Sequence, residues 1–149
     1  MVSTMSTMTI SRQTIDLLKN FASINSNILI KPGNTIKTIS TYKNLMAEAT
    51  VEETFPEEFG IWDLNKLLGT VGLFDTPNFE FGDKHMVISG GGSRVKYYYS
   101  DPKLLTTINK ELKMPEIVVN TTMSEDHVKE IHRAASILQL PDLSICSDQ

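Results

Sequence analysis

The sequence contains a single cysteine, Cys146, among 149 residues. One cysteine excludes an internal disulfide framework, and no second cysteine stands near it to build a zinc site with the three histidines. Long apolar runs are also missing, since no stretch approaches the roughly 18 residues that a membrane helix needs. The opening residues lack the basic and apolar regions of a secretory signal. These absences predict a reducing compartment and no membrane span.

Positive charge is in deficit, with 14 Lys and Arg against 18 Asp and Glu and a formal net charge of −4. The chain as a whole is therefore not attracted to phosphate polymers, and any role with nucleic acid must depend on local placement of basic side chains. What is present, 40% hydrophobic and 21% charged residues, is typical of an ordinary globular protein.

Motifs for catalysis or cofactor binding are missing as well. The paired carboxylates Glu52-Glu53 and Glu57-Glu58 have no acid-base partner or metal ligand at a recognisable spacing, so we interpret them as a solvated acidic rim. The tract SGGGSR at 89–94 lacks the Lys-Ser/Thr ending of a phosphate-binding loop and is predicted to be a hairpin turn. We predict no enzyme, no metal site and no cofactor; an enzyme built around the acidic pairs is the weakest hypothesis.

One segment of the sequence occurs twice in similar form. Residues 11–24 align without a gap on residues 124–137, and four of the 14 positions are identical. Apolar residues recur in both at the spacing of an amphipathic helix. Ser11 and Ser124 suit N-cap positions, the second better because Glu125 and Asp126 follow it. Two equivalent helices are predicted.

Between these helices the pattern changes to that of strands. Residues 45–52, LMAEATVE, alternate apolar and polar side chains and predict a half-buried strand. Further strands are predicted at 27–30, at 94–99 and at 143–145, and a short helix at 63–74 with Asp63 as its N-cap. The fold class is α+β, with repeated helix-plus-antiparallel-sheet units of about 50 residues.

The order of these elements predicts a domain organisation. Residues 1–9 are interpreted as a loose tail and residues 10–101 as a first domain. Residues 102–116, bounded by prolines and without a sustained period, are a predicted inter-domain connector. The remaining stretch, 117–149, is too short for an independent core and is interpreted as the start of a truncated second domain.

Both predicted helices carry basic residues on their polar faces, Arg12 and Lys19 on the first, Lys129 and Arg133 on the second. Such a face can contact a phosphate backbone through several weak ion pairs. It can equally be an ordinary solvated helix surface, and the pattern alone leaves both interpretations open.

Several phrases resemble the sliding clamps, or DNA polymerase processivity factors, of T-even-type bacteriophages. They are DLLKNFASINSN at 16–27, IWDLNKLLG at 61–69, the SDP of 100–102 and ILQLPDLSI at 137–145. The resemblance covers residues 10–149 almost continuously, and LLKNFASINS is its most specific part. It implies the DNA-clamp fold.

The resemblance also implies a function. Such clamps are homotrimeric rings of two similar domains per subunit, which encircle duplex DNA and tether the DNA polymerase without catalysis. It implies further partners in the clamp loader and in late transcription, and a place in the cytoplasm of an infected bacterial host. Because a sliding ring needs only weak contacts, the negative net charge fits this picture.

Site residues follow from the same resemblance. Lys19 lies in the LLKN phrase that matches the family's inner helix, and Arg133 occupies the place that matches the family in the later helix, while Arg12, Lys66 and Lys129 are assigned to DNA binding by helical geometry alone. Clamps of this family bind partner peptides in an apolar pocket near the connector, which implies contributions from Leu104, Leu105 and Ile108.

Subunits of the family pair through edge strands, which implies an interface at 94–99 with Arg94, Lys96 and Tyr98. The chain departs from the family in length, because members continue for roughly half a domain beyond residue 149. We therefore expect a truncated clamp that cannot close the usual ring, an expectation that a stable, DNA-encircling trimer would refute. The alternative is a clamp-fold interaction module that associates through its exposed edges and does not encircle DNA.

Overall fold

A computed structural model describes residues 6–108 and 113–146. The chain divides into two compact units, Met1–Glu111 and Leu112–Gln149. The first unit contains β1 (Ser6–Thr9), α1 (Arg12–Ile24), β2 (Ile28–Ile30), β3 (Gly33–Ile39), β4 (Met46–Phe55), β5 (Phe59–Ile61), α2 (Leu64–Val71), β6 (Asn78–Phe81), β7 (His85–Gly90), β8 (Ser93–Tyr98) and a short 3-10 helix at Pro102–Leu104. The second contains α3 (Glu125–Leu138). The α+β class is confirmed.

All strand pairs are antiparallel. One sheet has four strands in the order β1-β6-β7-β8, and two further pairs join β2 to β5 and β3 to β4. Ser100, just beyond β8, forms an isolated bridge with Gly60 of β5. The chain that leaves β8 therefore contacts the small β2-β5 pair.

The interpretation of residues 1–9 as a loose tail is wrong for residues 6–9. They form β1, which pairs with β6 from Ser6 opposite Phe81 to Thr9 opposite Asn78. The physical reason is that β6 would otherwise present an unpaired edge, and Met8 gains burial by packing on the core. Residues 1–5 lie outside the described part of the chain.

Helices α1 and α2 pack on one hydrophobic core. Leu18 and Phe21 of α1 are buried there, as are all four predicted residues of α2: Leu64, Leu67, Leu68 and Val71. Asp63 is the N-cap of α2, as predicted, and its side chain accepts a hydrogen bond from Lys66 N. The helix ends at Val71 rather than Phe74, because Leu73 N and Phe74 N donate to the carbonyls three residues back, at Thr70 and Val71, and so close a 3-10-type turn.

The predicted strand at 45–52 is confirmed apart from Leu45, which is exposed and precedes β4. Glu48, Thr50 and Glu52 are exposed, whereas Ala47, Ala49 and Val51 pack partly buried on the core. The hairpin turn predicted in SGGGSR is also confirmed: Gly91 and Gly92, with φ of 55° and 83°, join β7 to β8. Positive φ at both central residues is what a tight hairpin turn demands.

The repeated segments form equivalent helices, as predicted. Ser11 accepts a hydrogen bond from Thr14 N at 3.2 Å and Ser124 accepts one from His127 N at 3.2 Å, so both caps close over the same spacing. Only α3 has acidic residues in its first turn, Glu125 and Asp126.

The prediction of a strand at 143–145 is wrong, since residues 141–146 are irregular. A strand is held by a neighbouring strand, and the described residues 113–146 of the second unit contain none.

Candidate functional site

The N-terminus of α1 is anchored by a carboxylate from β4. Glu53 Oε1 accepts a hydrogen bond from Ser11 N at 2.6 Å, and Oε2 accepts one from the Thr14 hydroxyl at 2.5 Å. Glu53 is only 8% exposed. Its inclusion in a solvated acidic rim is therefore wrong, because it lies on the inward face of β4 together with Val51 and Phe55.

These contacts determine the charge state of Glu53. Burial raises the pKa of its carboxyl group. The hydrogen bonds from Thr14 and Ser11 lower the pKa and together outweigh the effect of burial, so the pKa lies below its ordinary value of 4.5. The ionised carboxylate also lies at the positive end of the helix dipole. The helix start is thus held by a negative charge at neutral pH.

The lowered pKa predicts how this anchor depends on pH. The unfolded chain takes up the proton at the ordinary value of 4.5, and the folded chain only at lower pH. The stabilisation is therefore complete above that value and is lost as pH falls through the folded pKa. Chemical unfolding at about pH 7 and about pH 3 should show the stability gap between wild type and Glu53→Gln shrinking at the lower pH. An unchanged gap would contradict the lowered pKa.

The helix that this anchor positions exposes basic side chains. Arg12 and Lys19 lie on the exposed side of α1, and Lys66 lies on the exposed side of the adjacent α2. Lys19 Nζ is 3.8 Å from an Asp16 oxygen and Lys66 Nζ is 3.9 Å from an Asp63 oxygen. Arg12 has no ion pair within residues 6–108 and 113–146. Exposed pairs of this kind are worth about 0–1 kcal/mol, so the lysines can exchange them for a phosphate.

Helix α3, considered by itself, has a similar exposed face. Lys129 Nζ is 2.7 Å from Glu125 Oε1, and Arg133 is exposed with no ion pair in the described part of the chain. Of the five basic residues predicted to bind DNA, the first unit holds three and the second unit holds two. Their role in DNA binding stays a prediction.

The predicted subunit interface lies on β8, the last strand of the four-stranded sheet. Arg94, Lys96 and Tyr98 are exposed and alternate with half-buried residues. Arg94 lies 3.4 Å from Glu80, and the Tyr98 ring lies 5.5 Å from that of His85. Charged side chains on an outer strand limit non-specific pairing of its edge.

A groove of about 350 Å³ lies between β2, β3 and the first part of the connector. Its lining combines apolar and basic side chains: Leu29, Pro32, Ile39, Ile108, Lys31 and Lys37. Thr38 also lines the groove, and its side-chain oxygen is buried without a hydrogen-bond partner among the described residues. Such an unsatisfied group is uncommon in a folded protein.

The three predicted partner-binding residues have different surroundings. Ile108 lines the groove, whereas Leu104 is 66% exposed on the 3-10 helix. Leu105 is 8% exposed and packs closely over Gly60 of β5, next to the bond from Ser100 N to Gly60 O. Leu105 thus packs the start of the connector against β5, and of the three residues only Ile108 lines the groove.

Three polar residues that hold α1 and the groove in place were not predicted from the sequence: Glu53, Asn25 and Asn27. The alternation of side chains along β4 could have indicated that Glu53 points inward, because it lies two residues from Val51. Asn25 and Asn27 belong to the phrase FASINSN, but no local pattern indicated their hydrogen bonds to distant segments.

No helix in residues 6–108 and 113–146 has both the length and the apolar character for crossing a bilayer. Within the same residues, His, Cys, Asp and Glu side chains nowhere gather in threes that could hold a metal ion.

The profile of the DNA polymerase processivity factor family matches residues 11–103, which comprise the two helices and nearly all strands of the first unit. The chain belongs to this family. Its α+β architecture with antiparallel sheets is accordingly that of a DNA clamp domain, and the resemblance noted in the sequence is confirmed.

Curated relatives of this processivity factor family cover most of the chain. The sliding clamp of Vibrio phage KVP40 is 28% identical over 142 residues, which are 93% of this chain and 64% of the relative. The sliding clamps of Enterobacteria phage T4 and Escherichia phage RB69 are each 29% identical over 140 residues, 93% of this chain and 61% of theirs. The chain thus spans less than two thirds of the length of these relatives.

Proposed function

We propose that this chain carries out the function of a phage sliding clamp, a non-catalytic processivity factor that in full-length form encircles duplex DNA and tethers the replicative polymerase. The observation that carries the proposal is the family match over residues 11–103. Its partners would be duplex DNA, the DNA polymerase and the clamp loader, in the cytoplasm of an infected bacterial cell. The relatives named above are sliding clamps of bacteriophages, which supports this setting.

Under this proposal α1, α2 and α3 face the DNA. Arg12 and Arg133 are exposed without ion-pair partners in the described residues, while Lys19, Lys66 and Lys129 are engaged only in weak exposed pairs. A few contacts of this strength attract the phosphate backbone without fixing a position on it. That combination suits a protein that must slide.

The domain arrangement is part of the same proposal. The first clamp domain extends to residue 101 and includes β1, residues 102–116 are the connector, and residues 117–149 are the first part of a second clamp domain, supported by the matching caps of α1 and α3. In the full-length ring the edge of β8, with Arg94, Lys96 and Tyr98, pairs with the second domain of the next subunit.

The groove beside the connector is the proposed docking place for a short peptide of the polymerase. Its apolar lining, which includes Ile108, can bury apolar side chains of the peptide. The groove is built entirely by the first unit.

Charge reversal on the helices tests DNA binding. The triple variant Arg12→Glu, Lys19→Glu, Lys66→Glu should bind a 30-base-pair duplex at low salt at least about tenfold more weakly than wild type in fluorescence anisotropy. Removing three phosphate contacts should also make the plot of log affinity against log salt shallower, by about 2 to 3 in slope.

The control variant has the same change in net charge: Lys43→Glu, Lys84→Glu, Lys103→Glu, at three exposed positions outside α1 and α2. It should retain affinity within about threefold, since only long-range attraction is altered. Equal losses in both variants would mean that net charge alone determines binding, and the assignment of the helices to DNA would fail.

A further inference from the structure

Two asparagines that follow α1 tie together opposite walls of the groove. Asn25 Nδ2 donates a hydrogen bond to Ile39 O, at the end of β3, at 2.8 Å. Asn27 Oδ1 accepts one from Thr106 N, in the connector, at 3.1 Å. Ile39 and Thr106 both line the groove, so each asparagine holds one wall of it.

The asparagines are themselves linked. Asn27 N donates to Asn25 Oδ1 at 3.0 Å, so that the carbonyl and the amide group of Asn25 are both engaged. Asn25 is 6% exposed, and its backbone N–H caps α1 by donating to Phe21 O at 3.0 Å. Between them, Ser26 O accepts a hydrogen bond from Leu64 N at the start of α2, at 2.7 Å. The short segment 25–27 is therefore fixed to two helices and is a rigid base for the contact with the connector.

On the connector side, Thr106 follows directly after the buried Leu105. Leu105 fixes the approach of the connector to β5 through its close packing on Gly60. The backbone N–H of the next residue, Thr106, donates the hydrogen bond that Asn27 Oδ1 accepts. The hydrogen bond from Thr106 N to Asn27 Oδ1 joins segments 79 residues apart, and it helps to set the position of this part of the connector relative to β3.

We propose that Asn27 is a positioning residue of the peptide groove, holding the connector wall at residues 106–108 in the place that receives the ligand. The inference rests on the proposed docking of a polymerase peptide in this groove. A wall held in the receptive place before binding reduces the ordering that binding must impose. Without the acceptor, a smaller fraction of molecules has the wall in place, and the apparent affinity falls in proportion to that fraction.

The test uses the full 149-residue chain and 12-residue peptides selected from a random library on the wild-type protein. Asn27→Ala should weaken the peptides that bind the groove about threefold to tenfold in fluorescence anisotropy. Asn27→Asp keeps an acceptor oxygen and should stay within about twofold of wild type. Asn65→Ala, an exposed asparagine of α2, is the matched control and should change nothing.

Ile108→Asp separates the two levels of the proposal, because it places a charge in the groove without touching the asparagines. Peptides that bind Ile108→Asp as tightly as wild type would overturn groove docking itself. Peptides that lose affinity for Ile108→Asp but not for Asn27→Ala would overturn only the role of Asn27. Equal weakening by Asn27→Ala and Asn27→Asp would also overturn it, since the acceptor would then be irrelevant.

Hydrogen exchange gives a readout that needs no peptide. Amide exchange at Thr106 should accelerate in Asn27→Ala and stay slow in Asn27→Asp, whereas amides in the core strand β7 should keep their wild-type protection in both. Accelerated exchange throughout the first unit would indicate general destabilisation and would overturn a specific role for Asn27.

Discussion

Replacing Glu53 with alanine is expected to lower the free energy of unfolding by about 2 to 4 kcal/mol, measured by urea denaturation at neutral pH. The reason is the double contact of its carboxylate with Ser11 N and the Thr14 hydroxyl. Both donors are at the start of α1, and without Glu53 the Ser11 N–H loses its acceptor at a partly buried position. The loss should be accompanied by fraying of α1, visible as faster amide exchange over its first turn.

Glu52 supplies the matched control for this experiment. It is the adjacent residue on the same strand, but its side chain is exposed on the opposite face. Glu52→Ala should therefore change the free energy of unfolding by no more than about 0.5 kcal/mol. Equal effects of the two substitutions would show that overall charge, and not the anchor at α1, is responsible.

Gly60→Ala should destabilise the first unit by about 1 to 3 kcal/mol and release the start of the connector. An added Cβ would lie 2.6 Å from Leu105 Cδ1 and 2.8 Å from Ser100 O. The leucine end can move, but the Ser100 carbonyl belongs to the backbone beside the Gly60–Ser100 bridge. Urea denaturation measures the loss, and faster exchange at Ser100 N–H reports the opened bridge.

The same substitution at a second glycine should raise the free energy of unfolding instead of lowering it, and the comparison tests whether the loss at Gly60 comes from a steric clash. Gly69 lies within α2, and an added Cβ would have nothing within 4 Å. Alanine favours a helix over glycine by about 1 kcal/mol, so Gly69→Ala should raise the free energy of unfolding by about 0.5 to 1 kcal/mol. If Gly60→Ala also stabilised the protein, the close packing of the connector on β5 would be refuted.

Local patterns in the sequence were enough for most elements of the first unit. Ser11 and Asp63 were identified as caps because a short polar side chain before an amphipathic stretch has a direct physical role at a helix start. The strand β4 was identified because alternation follows from the geometry of a single strand. By contrast, β1 depends on pairing with the edge of β6, about 70 residues away, and no pattern within residues 6–9 indicates that partner.

The candidate site was harder to predict because it is made by contacts between distant segments. Basic residues on helix faces could be listed, but the sequence did not show that Asp16 and Asp63 would pair with two of them. The connector was recognised as a unit, yet which of its leucines is buried depends on the absence of a side chain at Gly60. Glu53 was misjudged because its partners are 39 and 42 residues away.

The two repeated helices begin in different ways, and this affects the order in which they can form. Helix α3 has acidic residues in its own first turn, at Glu125 and Asp126, so its start is stabilised by neighbours already present in a short peptide. Helix α1 has none there and obtains its carboxylate from Glu53, which requires closing a loop of about 40 residues first. Helical structure can therefore appear early in α3, whereas a firmly capped α1 has to wait until β4 has docked.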